Sequence, residues 1–143
     1  MTYEIIYEGN VKEFEDYLVE QARQEVQQKG RKGIWCRITD IYVRQLSIIK
    51  HDPFPPEETN QSDDENPPSI KHLKMNVTFD NFYRWGIPGG RAGNHRILFA
   101  IHNYHKVVLL HYFDKQYNGA IHREDIEPAE ACYEDYCIVD PFY

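Results

Sequence analysis

Two apolar runs joined by a short polar link dominate the hydrophobic pattern: Ile97 to Ile101 and Val107 to Leu110, separated by His102 to Lys106. Runs of four or five apolar residues rich in Val, Ile and Phe are too short for independent helices and suit strands buried on both faces. The link holds Asn103 and no proline, which fits a hairpin connection. An antiparallel pair at the centre of a sheet is predicted.

Before this pair the period changes. Thr2 to Glu8 is aromatic and β-branched and predicts an edge strand, broken by Gly9-Asn10. Val11, Phe14, Leu18, Ala22 and Val26 then recur every three or four residues, which predicts a helix capped by Asn10 and ended at Lys29-Gly30. A second helix is predicted from about Lys32 to Lys50, with Ile34, Ile38, Ile41, Gln45 and Ile48 on one line. Together they form a helical hairpin whose wide apolar face needs a sheet to cover it.

His51 to Ser69 has five prolines, the cluster Asp63-Asp64-Glu65 and one large apolar residue, Phe54. Too little apolar surface is present to offset the entropy of ordering it, so residues 51–69 are predicted to form a mobile acidic insertion. Ile70 to Thr78 returns the chain to the sheet, Asp80 to Ile87 is an aromatic strand, and Pro88-Gly89-Gly90 is a turn. After the polar loop Gln116 to Ala120, a last helix is predicted from near Ile126, because Pro128 belongs in a first turn. Cys137 to Val139 is predicted as a short strand. The expected fold class is α+β: a small antiparallel or mixed sheet of four to five strands, packed by an N-terminal helical hairpin and a C-terminal helix.

With 143 residues, the chain is expected to form a single domain spanning 1–143. No apolar run approaches the roughly 20 residues needed to span a bilayer, and the N-terminus lacks a signal-like apolar segment. A cytoplasmic protein without membrane association is expected. Cys36, Cys132 and Cys137 are expected to be free thiols. No Cys or His pair has standard zinc-ligand spacing, and neither GxxxxGK[ST] nor a GxGxxG before a helix is present, so neither a metal nor another cofactor is expected.

Charge changes the picture more than composition does. The chain carries −7 overall, which argues against a nucleic-acid partner. Yet residues 70–117 hold seven Lys/Arg against two Asp/Glu, while residues 51–69 and 118–143 each carry −6. The sheet region alone is basic. Arg91 and Arg96 flank the Gly93-Asn94 turn before the first central strand, and His111 and Lys115 lie where the second runs out. Cations and imidazoles are thus predicted to gather at the sheet's rim around an anion, with an RNA-facing surface as one outcome.

The succession of a first strand, a helical hairpin, a strand ending before a Gly-rich turn and Arg91, then His95-Arg96 with ILFAI, Leu109-Leu110-His111 with Phe113 and Lys115, and a helix containing EPAEACYEDY resembles the RelE/ParE superfamily of toxins. The HigB or phage-type branch is nearest. The likeness covers residues 80 to 136 in sequence pattern and is topological before that. It implies a RelE-like domain, the toxin of a type II toxin-antitoxin pair: a metal-independent endoribonuclease that cuts messenger RNA, commonly on the ribosome, with a cognate antitoxin as partner.

Under that resemblance Arg96 holds the scissile phosphate, with Lys115 assisting and His111 and His122 as proton-transfer candidates. Arg91, His95, Lys74 and Arg84 would contact RNA. The chain departs from the family pattern in having Gln116 after Lys115 and Pro88-Gly89-Gly90 where further basic residues are expected. Two other classes stay open: ParE-like inhibition of DNA gyrase by binding alone, and a non-toxic interaction module.

Overall fold

The computed structural model describes residues 2–55 and 69–143. In chain order these form β1 (Glu4–Tyr7), α1 (Val11–Lys29), α2 (Ile34–His51), β2 (Ser69–His72) and β3 (Phe82–Pro88). A 3-10 turn at Gly90–Ala92 leads to β4 (Asn94–His102), β5 (Lys106–Asp114) and α3 (Arg123–Val139). The strands make one sheet in the order β1-β5-β4-β3-β2, antiparallel except that β1 runs parallel to β5. The α+β class and the mixed sheet are therefore as the pattern predicts.

Alternation along β4 sorts the molecule into two layers. Ile97 and Phe99 pack into one core with Phe14, Leu18, Ile38 and Tyr42 of the helical hairpin. Leu98 and Ala100, on the opposite face, pack into a second core with Ile126, Ala129 and Tyr133 of α3. Both faces of the central strands are covered, which is why their sequence reads as unbroken apolar runs.

One irregularity adjusts the register. Leu98 pairs with His111 but Phe99 pairs with Leu109, so Leu110 is an extra residue on β5. The resulting β-bulge turns His111 and Phe113 toward the α3 side and Tyr112 toward the hairpin. Without it, His111 would share the face of Leu109.

Several local expectations are corrected. Asn10 does not cap α1 with its side chain; it binds β5 instead, its Nδ2 donating to the Tyr112 carbonyl at 2.9 Å and its Oδ1 accepting the Tyr112 N–H at 2.7 Å. The N-terminus of α2 is satisfied from a distance by Glu25, whose carboxylate accepts the backbone N–H groups of Gly33, Trp35 and Cys36. Those bonds hold its carboxyl below the usual range against the opposing effect of desolvation. The close of α1 follows expectation, with Gly30 left-handed at φ 68° and donating to the Val26 carbonyl. Its apolar stripe is shorter than predicted, for Val26 is 41% exposed.

At the other end of the chain, α3 begins at Arg123 rather than near Ile126, with Pro128 inside it. Proline removes one backbone bond there, and side-chain bonds offset the loss: within the helix Arg123 forks onto the Glu130 carboxylate at 2.6 and 2.7 Å, and it also donates to the Asn76 carbonyl at 3.0 Å. Cys137–Val139 forms the last turn of α3 and no strand. The strand β5 runs to Asp114, so Lys115 follows its end as the pattern predicts, while His111 lies within it. The expected insertion at 51–69 falls mainly on residues 56–68, outside the described residues. No helix among the described residues is long and apolar enough to cross a membrane, and the three cysteines are free thiols.

Gln45 ties the hairpin to the sheet from within the core: its Oε1 accepts the indole N–H of fully buried Trp85 at 2.6 Å. Replacing Gln45 with Met keeps the volume and leaves that donor unpaired. The expected loss is about 1–3 kcal/mol, read as a lower urea midpoint with an unchanged denaturant slope.

Candidate functional site

The second core stops before the sheet does. On the α3 side, β2, β3 and β4 continue beyond it with Lys71, Arg84, Gly86 and Arg96, where Lys71 is paired with Arg84 and Gly86 with Arg96. Apolar side chains give way to cations where α3 no longer covers the strands. This bare end, the segment after β2 and the loop before α3 enclose a cleft of about 390 Å³. Its lining includes Lys71, Lys74, Arg84, Arg96 and Lys115, with Leu73, Ile121 and Gly119 and, among the described residues, no Asp or Glu.

The five cations are held together against their own repulsion. Arg84 and Lys71 have no hydrogen-bonded or ion-paired acid among the described residues, and like charges directly across a strand pair oppose each other. Burial lowers the pKa of Arg84. Burial, followed by the nearby Arg84 charge, does the same to Arg96. Lys115 is 8% exposed, and burial followed by Arg96 and Arg84 lowers its pKa. All three shifts arise because charged groups lack water and counter-charges, and an anion in the cleft would relieve both deficits.

Arg96 is fixed but not neutralised. Its Nη1 donates to Asn94 Oδ1 at 2.7 Å and to the His95 carbonyl at 3.0 Å, whereas its buried Nε has no acceptor. Lys115 donates from Nζ to the Tyr117 carbonyl at 2.8 Å and sits 4.7 Å from the centre of the Tyr117 ring. That ring stacks on His122, with centroids 3.7 Å apart and 5° between planes. The Tyr117 hydroxyl donates to Asp125 at 2.5 Å and accepts the His122 backbone N–H at 3.0 Å. Lys115, Tyr117 and the exposed His122 thus form one connected wall.

Of the residues singled out from sequence, the cleft gathers Arg96, Lys115, Lys74 and Arg84. His122 does not line it and is connected to Lys115 only through the Tyr117 ring. His111 lies on the same face as Arg96, half-buried beside Phe113, but does not line the cleft. Arg91 is exposed on the 3-10 turn, outside the lining. His95 faces the hairpin, 2% exposed, with Nδ1 2.7 Å from the Tyr112 hydroxyl and its ring against Phe14. The odd-even alternation of β4 puts it opposite its neighbour Arg96.

Lys71 and Tyr117 were missed. A cross-strand partner identifies Lys71, and one apolar residue, Ile70, gave only a weak strand signal. His72 also borders the cleft, but its ring stacks on Tyr83 and its Nε2 is 2.5 Å from the Asp80 carbonyl. Among the described residues no three His, Cys, Asp or Glu side chains are grouped to hold a metal ion. No protein-family profile matches this chain, and no curated protein matches it.

Burial depresses the pKa of His111 from its ordinary 6.5, with Asp125 acting in the opposite sense. The fold therefore disfavours the imidazolium, and native stability falls as pH drops through 6.5. In an NMR titration His111 is expected to protonate below 6.5, and Asp125→Asn to move its midpoint lower still.

Proposed function

We propose that the cleft takes the backbone of single-stranded RNA and that the protein is a metal-independent endoribonuclease of the RelE/ParE kind, the cytoplasmic toxin of a type II toxin-antitoxin pair. The observation that carries this reading is a pocket lined, among the described residues, by five cations and no acid in a chain of net charge −7. An acidic protein that concentrates unpaired guanidinium and ammonium groups in one concavity has a local potential suited to phosphates. The α+β arrangement of strand, helical hairpin, antiparallel strands and C-terminal helix also supports the family reading.

In the reaction, the ribose 2′-oxygen attacks the adjacent phosphorus and the bond from phosphorus to the 5′-oxygen breaks. A base takes the 2′-proton, an acid protonates the departing 5′-oxygen, and the products are a 2′,3′-cyclic phosphate and a 5′-hydroxyl. Arg96 and Lys115 stabilise the phosphorane's extra negative charge, a contribution that depends on charges already oriented before reaction. His122, exposed and linked to Lys115 through Tyr117, is the first proton-transfer candidate, and His111 the second. Messenger RNA on the ribosome is the substrate under this reading, and a cognate antitoxin masks the cleft.

A second reading has its own support. Among the described residues His72 is the one histidine in the cleft lining, and its ring nitrogen is engaged by a backbone carbonyl. A site rich in cations and poor in available imidazole suits binding without chemistry, as in inhibition of DNA gyrase or docking of an acidic partner.

Induced expression of wild type and Arg96→Ala separates these readings when growth and messenger RNA ends are followed together. Wild type is expected to arrest growth and create new 5′-hydroxyl ends, with cleavage about 10²–10³-fold slower in the variant. Equal arrest in both with intact messages overturns the nuclease. Arrest that survives His111→Ala with His122→Ala, again without cleavage, selects the binder. In vitro, Lys71→Ala is expected to weaken single-stranded RNA binding uniformly across sequences and to reduce the salt slope by about 0.7.

A further inference from the structure

We infer that Asn94 and Gly86 are positioning residues that build the seat of Arg96, presenting one chosen nitrogen of its guanidinium, Nη2, to the ligand. The inference deepens the RNA reading of the same cleft and rests on it for the identity of the ligand.

Asn94 is bonded through every polar group it has. Its backbone N–H donates to Asp114 Oδ1 at 2.8 Å, and its carbonyl accepts the Lys115 N–H at 2.8 Å. Its side-chain Nδ2 donates to the Lys115 carbonyl at 3.0 Å, while Oδ1 accepts Arg96 Nη1 at 2.7 Å. One carboxamide therefore joins the strand that carries Arg96 to the residue that carries the second buried cation. A carboxylate in its place would accept the same bond and cancel the charge; the neutral amide orients the guanidinium and leaves its charge intact.

Gly86 forms the floor. It pairs with Arg96 across β3 and β4. A Cβ there would lie 3.1 Å from Arg96 Nη1, 3.2 Å from Cζ and 3.4 Å from Nε. The guanidinium thus lies over the one position in the row Phe82, Arg84, Gly86 that has no side chain. A methyl group would lift it by a few tenths of an ångström.

The two contacts act on the same side of the group. Asn94 and the His95 carbonyl take both protons of Nη1, and neither touches Nε or Nη2, which have no protein acceptor among the described residues. Nε is buried, so Nη2 is the nitrogen left open to the cleft as a charge-assisted donor for a phosphate oxygen. Held by Nη1, the arginine keeps Nη2 for the anion and loses little further freedom on binding.

A double-mutant cycle tests the seat, with a fluorescein-labelled single-stranded RNA decamer as probe and the Arg96 Nε–Hε NMR signal as a second readout. Asn94→Ala and Gly86→Ala are each expected to weaken RNA binding about tenfold when Arg96 is present and to change it less than twofold in an Arg96→Ala background. The Arg96 signal, slow to exchange in wild type, is expected to broaden or vanish in Asn94→Ala. Equal losses with and without Arg96, or an Arg96 signal unchanged in both variants, overturn the seat. If Asn94→Ala does not fold, Gly86→Ala carries the cycle alone, since alanine is at home in a strand with negative φ. Should wild type fail to bind the decamer while the Arg96 signal still depends on Asn94, the seat stands and the RNA reading falls.

Discussion

A sheet buried on both faces must be covered along its whole length, and here the cover on one face runs out. The helical hairpin spans its side of the strands, whereas α3 reaches the level of Leu98 and the strands continue past it with Arg84, Gly86 and Arg96. Any residues at that bare end meet water on one side and apolar core on the other. Arginine and lysine suit such a position, for their stems pack on the core while their charges stay at the boundary. The cleft is thus a consequence of unequal coverage, and its electrostatics follow from which residues occupy the uncovered rows.

Holding like charges together needs stabilisation from elsewhere. Polar contacts around the cleft are unusually well connected: Arg123 forks onto Glu130, the Glu130 carboxylate also accepts the Thr78 backbone N–H, and Tyr117 is anchored to Asp125. Two of the acids of the strongly negative C-terminal segment, Glu130 and Asp125, therefore brace the walls while staying out of the lining. The Glu130 carboxyl is held below its usual range, first by Arg123. The acidic total of the chain and the basic character of its cleft are compatible because the acids act as neighbours of the wall and the cations as its surface.

Much of this architecture was legible from periodicity. The 3.6-residue repeat of Val11, Phe14 and Leu18 and the apolar runs of β4 and β5 fix the hairpin and the central strands, since burial on a face imposes those repeats. Features set by contacts between distant segments left no local trace. Pro128 argues for a later start to α3 because propensity knows nothing of the bonds that tie Arg123 to the Asn76 carbonyl and Glu130 to the Thr78 backbone N–H. Asn10 read as a cap because its bond to Tyr112 joins positions far apart in the chain. In the site, Arg96, Lys115, Lys74 and Arg84 stood out as cations in a basic segment, whereas the separation of His95 from Arg96 follows from strict alternation that a list of polar residues overlooks. Asn94 looked like a turn residue, and only its four bonds reveal that it joins two cations.

The extra residue at Leu110 gives β5 two reading frames. Upstream of it the odd-numbered side chains serve the hairpin layer; downstream, His111 and Phe113 serve the layer that ends in the cleft. If Leu110 were taken into a regular alternation and not bulged out, the two linings beyond it would exchange with every amino acid in place, setting Tyr112 toward the cations and His111 among the aromatic rings of the opposite layer. One uncounted residue thus decides which chemistry the molecule shows to its ligand, and the spacing of this strand carries as much information as its composition.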